Sequence, residues 1–179
     1  MSEIPPSFHS LEHDEPFQKC LACEKRFDEL SDPYKITKVF KGTECVFEYA
    51  MCLPCQQELA QSFSEESRQT MMNFFEQNPH ISKRSEKLGE SQDHKEWTRR
   101  CATCDTALAE VNDYSIACMG FGNHMVYDPF PMMVCSQCER DLQSKLSKST
   151  RDSWDKFILD NFEGPPADAL KPDGVPMLV

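Results

Sequence analysis

The sequence is short of basic residues, long apolar runs and well-placed histidines, and each shortage excludes something. Nineteen Lys and Arg against thirty Asp and Glu give a formal charge of −11, the wrong sign for a chain that lives on a phosphate backbone. No run of about 18 apolar residues occurs, so no transmembrane helix and no membrane role are expected. Met1-Ser2-Glu3-Ile4-Pro5-Pro6 has neither the basic region nor the apolar stretch of a secretory signal, and a cytoplasmic location is expected. No glycine-rich phosphate loop and no G-x-S-x-G elbow is present. His9, His13, His80 and His94 fall in segments without apolar patterning; only His124, in Gly122-Asn123-His124, lies inside patterned sequence.

Cysteine is what the chain has in excess. Eight of its ten cysteines form four C-x-x-C pairs: Cys20/Cys23, Cys52/Cys55, Cys101/Cys104 and Cys135/Cys138. Without a secretory signal, that spacing points to metal rather than disulfides. Redox chemistry is the competing use. Cys52-Leu53-Pro54-Cys55 alone would fit it, but four pairs at matched spacing fit it poorly.

The chain is one unit written twice. The first pair of each half lies 81 positions from its counterpart and the second pair 83, and the offset of 83 continues through Ser64/Ser147, Arg68/Arg151, Phe74/Phe157 and Asn78/Asn161. Between the pairs, Tyr34-x-Ile36 and Gly42 match Tyr114-x-Ile116 and Gly122 at an offset of 80. The difference reflects a small insertion near Pro129 and Pro131. Copy one is expected over residues 17–78 and copy two over 97–163. Residues 1–16 are polar and proline-bearing and are expected to lack fixed structure. Residues 79–96 carry balanced charge and read as a linker. Residues 164–179 form a proline-rich tail ending in the apolar run Val175-Pro176-Met177-Leu178-Val179.

Within each copy a hairpin is expected after the first pair. Tyr34, Ile36, Val39 and Phe40 lead to a turn at Gly42, and Val46 to Tyr49 return. The second pair opens a helical pattern, with Pro54 in the first turn, where its missing N–H costs nothing. Ser64 and Ser147 interrupt that pattern where a serine can cap a new start, so two consecutive helices, or one kinked helix, follow each second pair.

Two C-x-x-C turns brought together by a hairpin complete a tetrahedral four-sulfur site suited to zinc. The intervals agree: 28 residues separate Cys23 from Cys52, and 30 separate Cys104 from Cys135. Two structural zinc ions per chain are expected, bound by Cys20, Cys23, Cys52 and Cys55 and by Cys101, Cys104, Cys135 and Cys138. Each closed site adds −2, taking the charge to about −15 if all eight sulfurs ionise. This order of knuckle, hairpin and helix resembles the treble-clef group of zinc domains. The resemblance implies a small α+β fold of two tandem treble-clef-like units, and no particular task, because treble clefs serve nucleic-acid-binding, ubiquitin-system, ribosomal and nuclease proteins alike.

Four cysteines around one ion leave no open position, so no enzyme is expected. His124 in a treble-clef hairpin resembles the nuclease branch. The matching helix, however, offers Glu139, Arg140, Asp141 and Gln143 in place of further histidine or asparagine partners. Nucleic acid is disfavoured as a partner because each copy holds seven basic residues against ten acidic ones. A local stripe is read at Lys35, Lys38 and Lys41 along one strand face, with Arg99-Arg100 nearby. The expected role is protein–protein interaction, as adaptor or regulator. Met71, Met72, Phe74, Phe75 and Trp154, Phe157, Ile158, Phe162 either pack the copies together about a pseudo-twofold core or leave an apolar groove for a protein partner or a second copy in a homodimer. Met71, Met72, Met132 and Met133 would rim that groove, and the insertion from Val126 to Met132 is the candidate specific contact. Ser64/Ser147 and Arg68/Arg151 read as caps and helix-surface ion pairs, or as a surface for an acidic group. Cys45 and Cys118 do not align and read as buried small residues rather than reactive thiols.

Overall fold

The computed structural model describes residues 2–162; the tail 164–179 lies outside the described residues. The strands are β1 (Ser2–Glu3), β2 (Tyr34–Lys41), β3 (Glu44–Cys52), β4 (Asp113–Phe121), β5 (His124–Val126) and β6 (Met132–Cys135). The helices are α1 (Leu53–Gln61), α2 (Glu65–Glu76), α3 (Pro79–Leu88), α4 (His94–Thr98), α5 (Ser136–Ser144) and α6 (Lys148–Asn161). Each hairpin turns on a glycine with positive φ, Gly42 at 60° and Gly122 at 55°, where a Cβ would be strained.

The two copies share one antiparallel sheet. β2 pairs with β3 on one edge and with β4 on the other. The return strand of copy two is split into β5 and β6, both paired with β4, because the insertion at 127–131 interrupts it. In the β2–β4 register Thr37 faces Ala117, and these are equivalent residues of the two copies, 80 positions apart. A pseudo-twofold axis therefore passes between them. One row across the sheet runs Tyr49, Thr37, Ala117, Met132, so all four side chains share a face.

The same axis passes between two helix starts. Ser64 caps α2 by accepting from the Ser67 N–H, and Ser147 caps α6 by accepting from the Thr150 N–H. The caps also touch: the two hydroxyls lie 3.0 Å apart. The Ser64 N–H donates to Thr150 Oγ1 and the Ser147 N–H to Ser67 Oγ, each at 2.9 Å. Orphan N–H groups of each helix are thus satisfied by the other copy as well as by their own cap. The recurring arginines act locally: Arg68 pairs with Glu65, and Arg151 donates to the Leu146 carbonyl at 2.8 Å.

Helices cover the face that carries Thr37 and Ala117. The opposite face is covered by the first residues of the chain, which are ordered, contrary to the sequence expectation. β1 pairs with β5, Ile4 and Phe8 are buried, and Glu48 accepts from the Ser10 hydroxyl and the Leu11 N–H. Two apolar anchors suffice to order a stretch whose average composition is polar. On this face Tyr34 stacks on Phe27 at 3.8 Å and donates to the Gly122 carbonyl. A Cβ on Gly120 would meet the Tyr34 ring at 2.6 Å. Gly120→Ala is expected to cost about 1–3 kcal/mol, as overpacking of a filled core does, read as a lower urea midpoint at unchanged m-value.

The expected linker is also ordered. Asn78 and Asp93 cap α3 and α4, and Ile81 and Trp97 are buried. Arg84 lies 4.6 Å above the Trp97 ring and donates to the carbonyls of Trp97, Pro129 and Pro131. Tyr127 donates to the Gln92 carbonyl at 2.7 Å. The segment between the copies is therefore a clasp on the insertion.

Candidate metal centres

Each C-x-x-C of the first kind forms a tight turn. The Glu24 N–H donates to the Cys20 carbonyl and the Asp105 N–H to the Cys101 carbonyl, both at 2.9 Å. Glu24 and Asp105 take φ of 59° and 61°, an uncommon region for residues with a Cβ, kept because the surrounding turn dictates it. The turns dock on the sheet through equivalent bonds, Leu21 N–H to Ala50 and Ala102 N–H to Met133. Each C-x-x-C of the second kind starts a helix: Cys52 is the N-cap of α1 and Cys135 that of α5. Their N–H groups donate to Cys20 Sγ and Cys101 Sγ, each at 3.4 Å.

The structure brings together Cys20, Cys23, Cys52 and Cys55, and separately Cys101, Cys104, Cys135 and Cys138, with the sulfurs of each group within 4.8 Å of one another. Cys23 and Cys52 lie 3.9 Å apart, Cys101 and Cys138 3.9 Å, and Cys104 and Cys135 3.8 Å. A disulfide needs about 2 Å. A tetrahedron of sulfurs about 2.3 Å from a central ion has edges of about 3.8 Å. The two clusters thus have the donor set and spacing to hold one metal ion each.

One sulfur in each cluster is prepared for negative charge, whereas burial pushes the thiols of Cys52, Cys55 and Cys135 up, and the neighbouring Cys101 together with burial does the same to Cys138. The Cys138 thiol beside it, with the Thr103 hydroxyl and the Cys135 N–H, holds Cys101 down to about 4 against the opposing effect of burial. Burial works against Cys20 as well, and the N–H groups of Cys52, Cys23 and Ala22 overcome it, leaving its thiol below the ordinary range. Thr103 and Thr106 place hydroxyls 3.2 Å from Cys101 Sγ and Cys104 Sγ; Ala22 and Lys25 occupy those places in copy one. Thr103→Val, which keeps the shape and drops the hydroxyl, is expected to weaken the second centre for its ion about tenfold, read by competition with a chromogenic chelator.

His124 joins neither cluster. It is exposed and pairs with Phe121 at one end of β4, whereas the buried carboxyl of Glu139 meets Ser115 six residues away, about 20 Å along a strand. The two carry no joint chemistry. Burial pushes Glu139 up to about 8. Cys118 is buried and burial pushes its thiol up; Cys45 is half-buried.

The lysine stripe does not exist as a surface. Residues three apart on a strand alternate faces, so Lys38 points away from Lys35 and Lys41. Lys35 is buried, which pulls its ammonium down to about 7. Lys38 is buried on the other face beside Glu48, at 3.1 Å. Basic groups converge elsewhere, in a cleft of about 180 Å³ lined by His80, Lys83, Lys87, Arg99 and Arg100 together with the carboxylates Glu96 and Asp105, the latter paired to Arg100 at 2.9 Å.

The copies close on each other through the shared sheet, and a groove of about 340 Å³ remains between α1–α2 and the insertion. Phe63, Met71, Met72 and Phe75 form one wall, Phe130 and Met132 the other. Met71 and Met132 are buried in it and Met72 stands half-exposed at its rim. Met133 is not part of the rim, because it points to the opposite face of β6 and is fully buried.

No protein-family model matches the chain, and no curated protein or solved structure matches it either. The likeness to treble clefs is one of fold, carried by the two cysteine clusters. No helix among the described residues is long and apolar enough to cross a membrane.

Proposed function

We propose that this is a non-catalytic zinc protein of the cytoplasm, a protein-interaction adaptor or regulator that takes an apolar segment of a partner protein into the groove between α1–α2 and the insertion. Zinc follows from donor chemistry: four thiolates at tetrahedral spacing suit it, and a reducing compartment keeps them as thiolates. Four protein ligands leave the ion no position for substrate, so its work is to hold the fold. The observation that carries the interaction reading is the groove itself, an apolar concavity of one to a few side chains whose rim exposes 49% of Met72, a soft side chain that adapts to varied contacts.

The test is selection of displayed peptides on the zinc-loaded chain, with counter-selection on Met72→Asp. Peptides bearing apolar or aromatic anchors, binding with about micromolar Kd and lost on Met72→Asp, support the reading. Selection that returns no peptide sensitive to position 72 overturns it. Native mass spectrometry supplies the metal count, with two zinc ions per chain expected.

The basic cleft at His80, Lys83, Lys87, Arg99 and Arg100 favours a second reading, an accessory factor that touches nucleic acid. That reading expects binding to a labelled RNA or DNA that weakens steeply with salt and is lost in Lys83→Glu/Lys87→Glu.

A further inference from the structure

The two centres differ in what covers them. Among the described residues, which hold all ten cysteines, Cys104 alone is exposed; the others are buried or half-buried. Its counterpart Cys23 packs against the main core, and so does Leu21 of the same knuckle. In copy two Leu21 is replaced by Ala102, which joins a smaller cluster with Ile81 and Met132 and leaves Cys104 outside. Cys104, Cys135 and Cys138 together line an open concavity of about 500 Å³, with Thr106, Asn112 and Arg140 around them. Three of the four cysteines of the second centre thus face one opening that a small molecule can enter.

We propose that Cys104 is an oxidation site for hydroperoxides, and that its oxidation empties the second centre while the first keeps its ion. Susceptibility to oxidation follows thiolate character and exposure. Ligation makes thiolates of all eight sulfurs, so exposure decides among them. The Cys104 sulfur attacks one oxygen of the peroxide: the S–O bond forms as the O–O bond breaks, and the leaving oxygen takes a proton from water. The product is a sulfenic acid. The Cys135 sulfur lies 3.8 Å from it and must approach to about 2 Å, a movement open to a side chain on an exposed turn. Its thiolate attacks the oxidised sulfur, the S–S bond forms, and hydroxide leaves. The two sulfurs give up two electrons and the peroxide gains two. With half its donors in a disulfide, the centre no longer holds its ion. Cys135 also ends β6 and caps α5, so its withdrawal loosens β6, whose Met132 forms a wall of the groove. The inference goes beyond the interaction reading, because oxidation and ion loss need no partner.

The experiment is stepwise addition of hydrogen peroxide to the zinc-loaded full chain. It is followed by native mass spectrometry, a chromogenic zinc chelator and peptide mapping after thiol alkylation. Two ions in the starting spectrum test the zinc reading separately. Expected next is a one-ion species that accumulates before any ion-free chain and carries a Cys104–Cys135 disulfide. It should regain its second ion when a thiol reductant and zinc are added. The second centre should react at least about tenfold faster than the first. Cys104→His keeps a zinc ligand at the position and removes the sulfur. That chain should hold two ions and lose neither at the peroxide concentration that empties the wild-type centre. Loss of both ions together, loss from the first centre before the second, or an emptied second centre whose Cys104 maps as an intact thiol overturns the proposal. Mapping of the wild-type chain decides it even where Cys104→His does not load its second ion.

Discussion

Cys52→Ser is expected to lower the thermal midpoint of the whole chain by at least about 10 °C, and to leave no separately folded second copy. A serine hydroxyl is neutral at pH 7 and a poor substitute for a thiolate, so one centre drops to three sulfurs. Metal binding in small zinc domains supplies about 10–16 kcal/mol of apparent folding energy, against a net stability of about 5–15 kcal/mol. Cys52 also ends β3 and caps α1, and its N–H donates to Cys20 Sγ, so metal, strand and helix are lost together. From spacing alone only copy one should unfold. The shared sheet changes that expectation: β2 lies between β3 and β4, and losing copy one exposes an edge of β4 and the capping contacts at Ser147. A single cooperative transition in differential scanning calorimetry, shifted as a whole, is the expected trace. Cys45→Ser is the control. That thiol lies outside both clusters, is half-buried and donates to the Phe47 carbonyl at 3.5 Å, so its midpoint should stay within about 2 °C of wild type. A Cys52→Ser chain as stable as this control would mean the four sulfurs do not hold the fold.

The parts that could be read in advance are those where a local rule has one solution. Gly42 and Gly122 mark turns because only a left-handed residue closes them. Pro54 and the cysteines around it mark a helix start, and Ser64 and Ser147 mark the next. Matching offsets around the cysteines revealed the duplication, and the duplication implied that the copies could meet. What escaped depends on contacts between distant residues. Residues 1–16 look disordered because two buried side chains, Ile4 and Phe8, are diluted among polar ones, and their partner surface exists only once the sheet is assembled. Residues 79–96 did contain a signal, Asn78-Pro79 and Asp93 being ordinary helix starts, but balanced charge concealed it. The pairing of β2 with β4 is not written in either strand: nothing in Tyr34–Lys41 or Asp113–Phe121 says that one will lie against the other. The lysine stripe was an error of period, a spacing of three laid on a structure that alternates every two.

Lys38 shows what that period leads to, and the second large effect expected is at its partner. Glu48→Ala should cost about 3–5 kcal/mol. Lys38 is 2% exposed and Glu48 17%, and they meet at 3.1 Å. Removing the carboxylate leaves an ammonium buried without its counter-charge, which is far more costly than losing an exposed pair. Glu48 has a second task, accepting from Ser10 Oγ at 3.1 Å and from the Leu11 N–H at 2.7 Å. Its loss should therefore also loosen the strap of residues 2–15, seen as faster hydrogen exchange at Leu11 and Ile4 than at Ile36. Glu48→Gln keeps one acceptor oxygen and should hold the strap while losing the charge, so it separates the two contributions. The double change Lys38→Met/Glu48→Leu removes both charges and keeps the volume apolar. By the general behaviour of buried pairs it should recover most of the lost stability without restoring the strap. Urea denaturation of the four chains at one zinc concentration measures the charge contribution. A Glu48→Ala chain within about 1 kcal/mol of wild type would place the pair among solvated surface contacts and return Lys38 to the surface as a group able to meet an anionic partner.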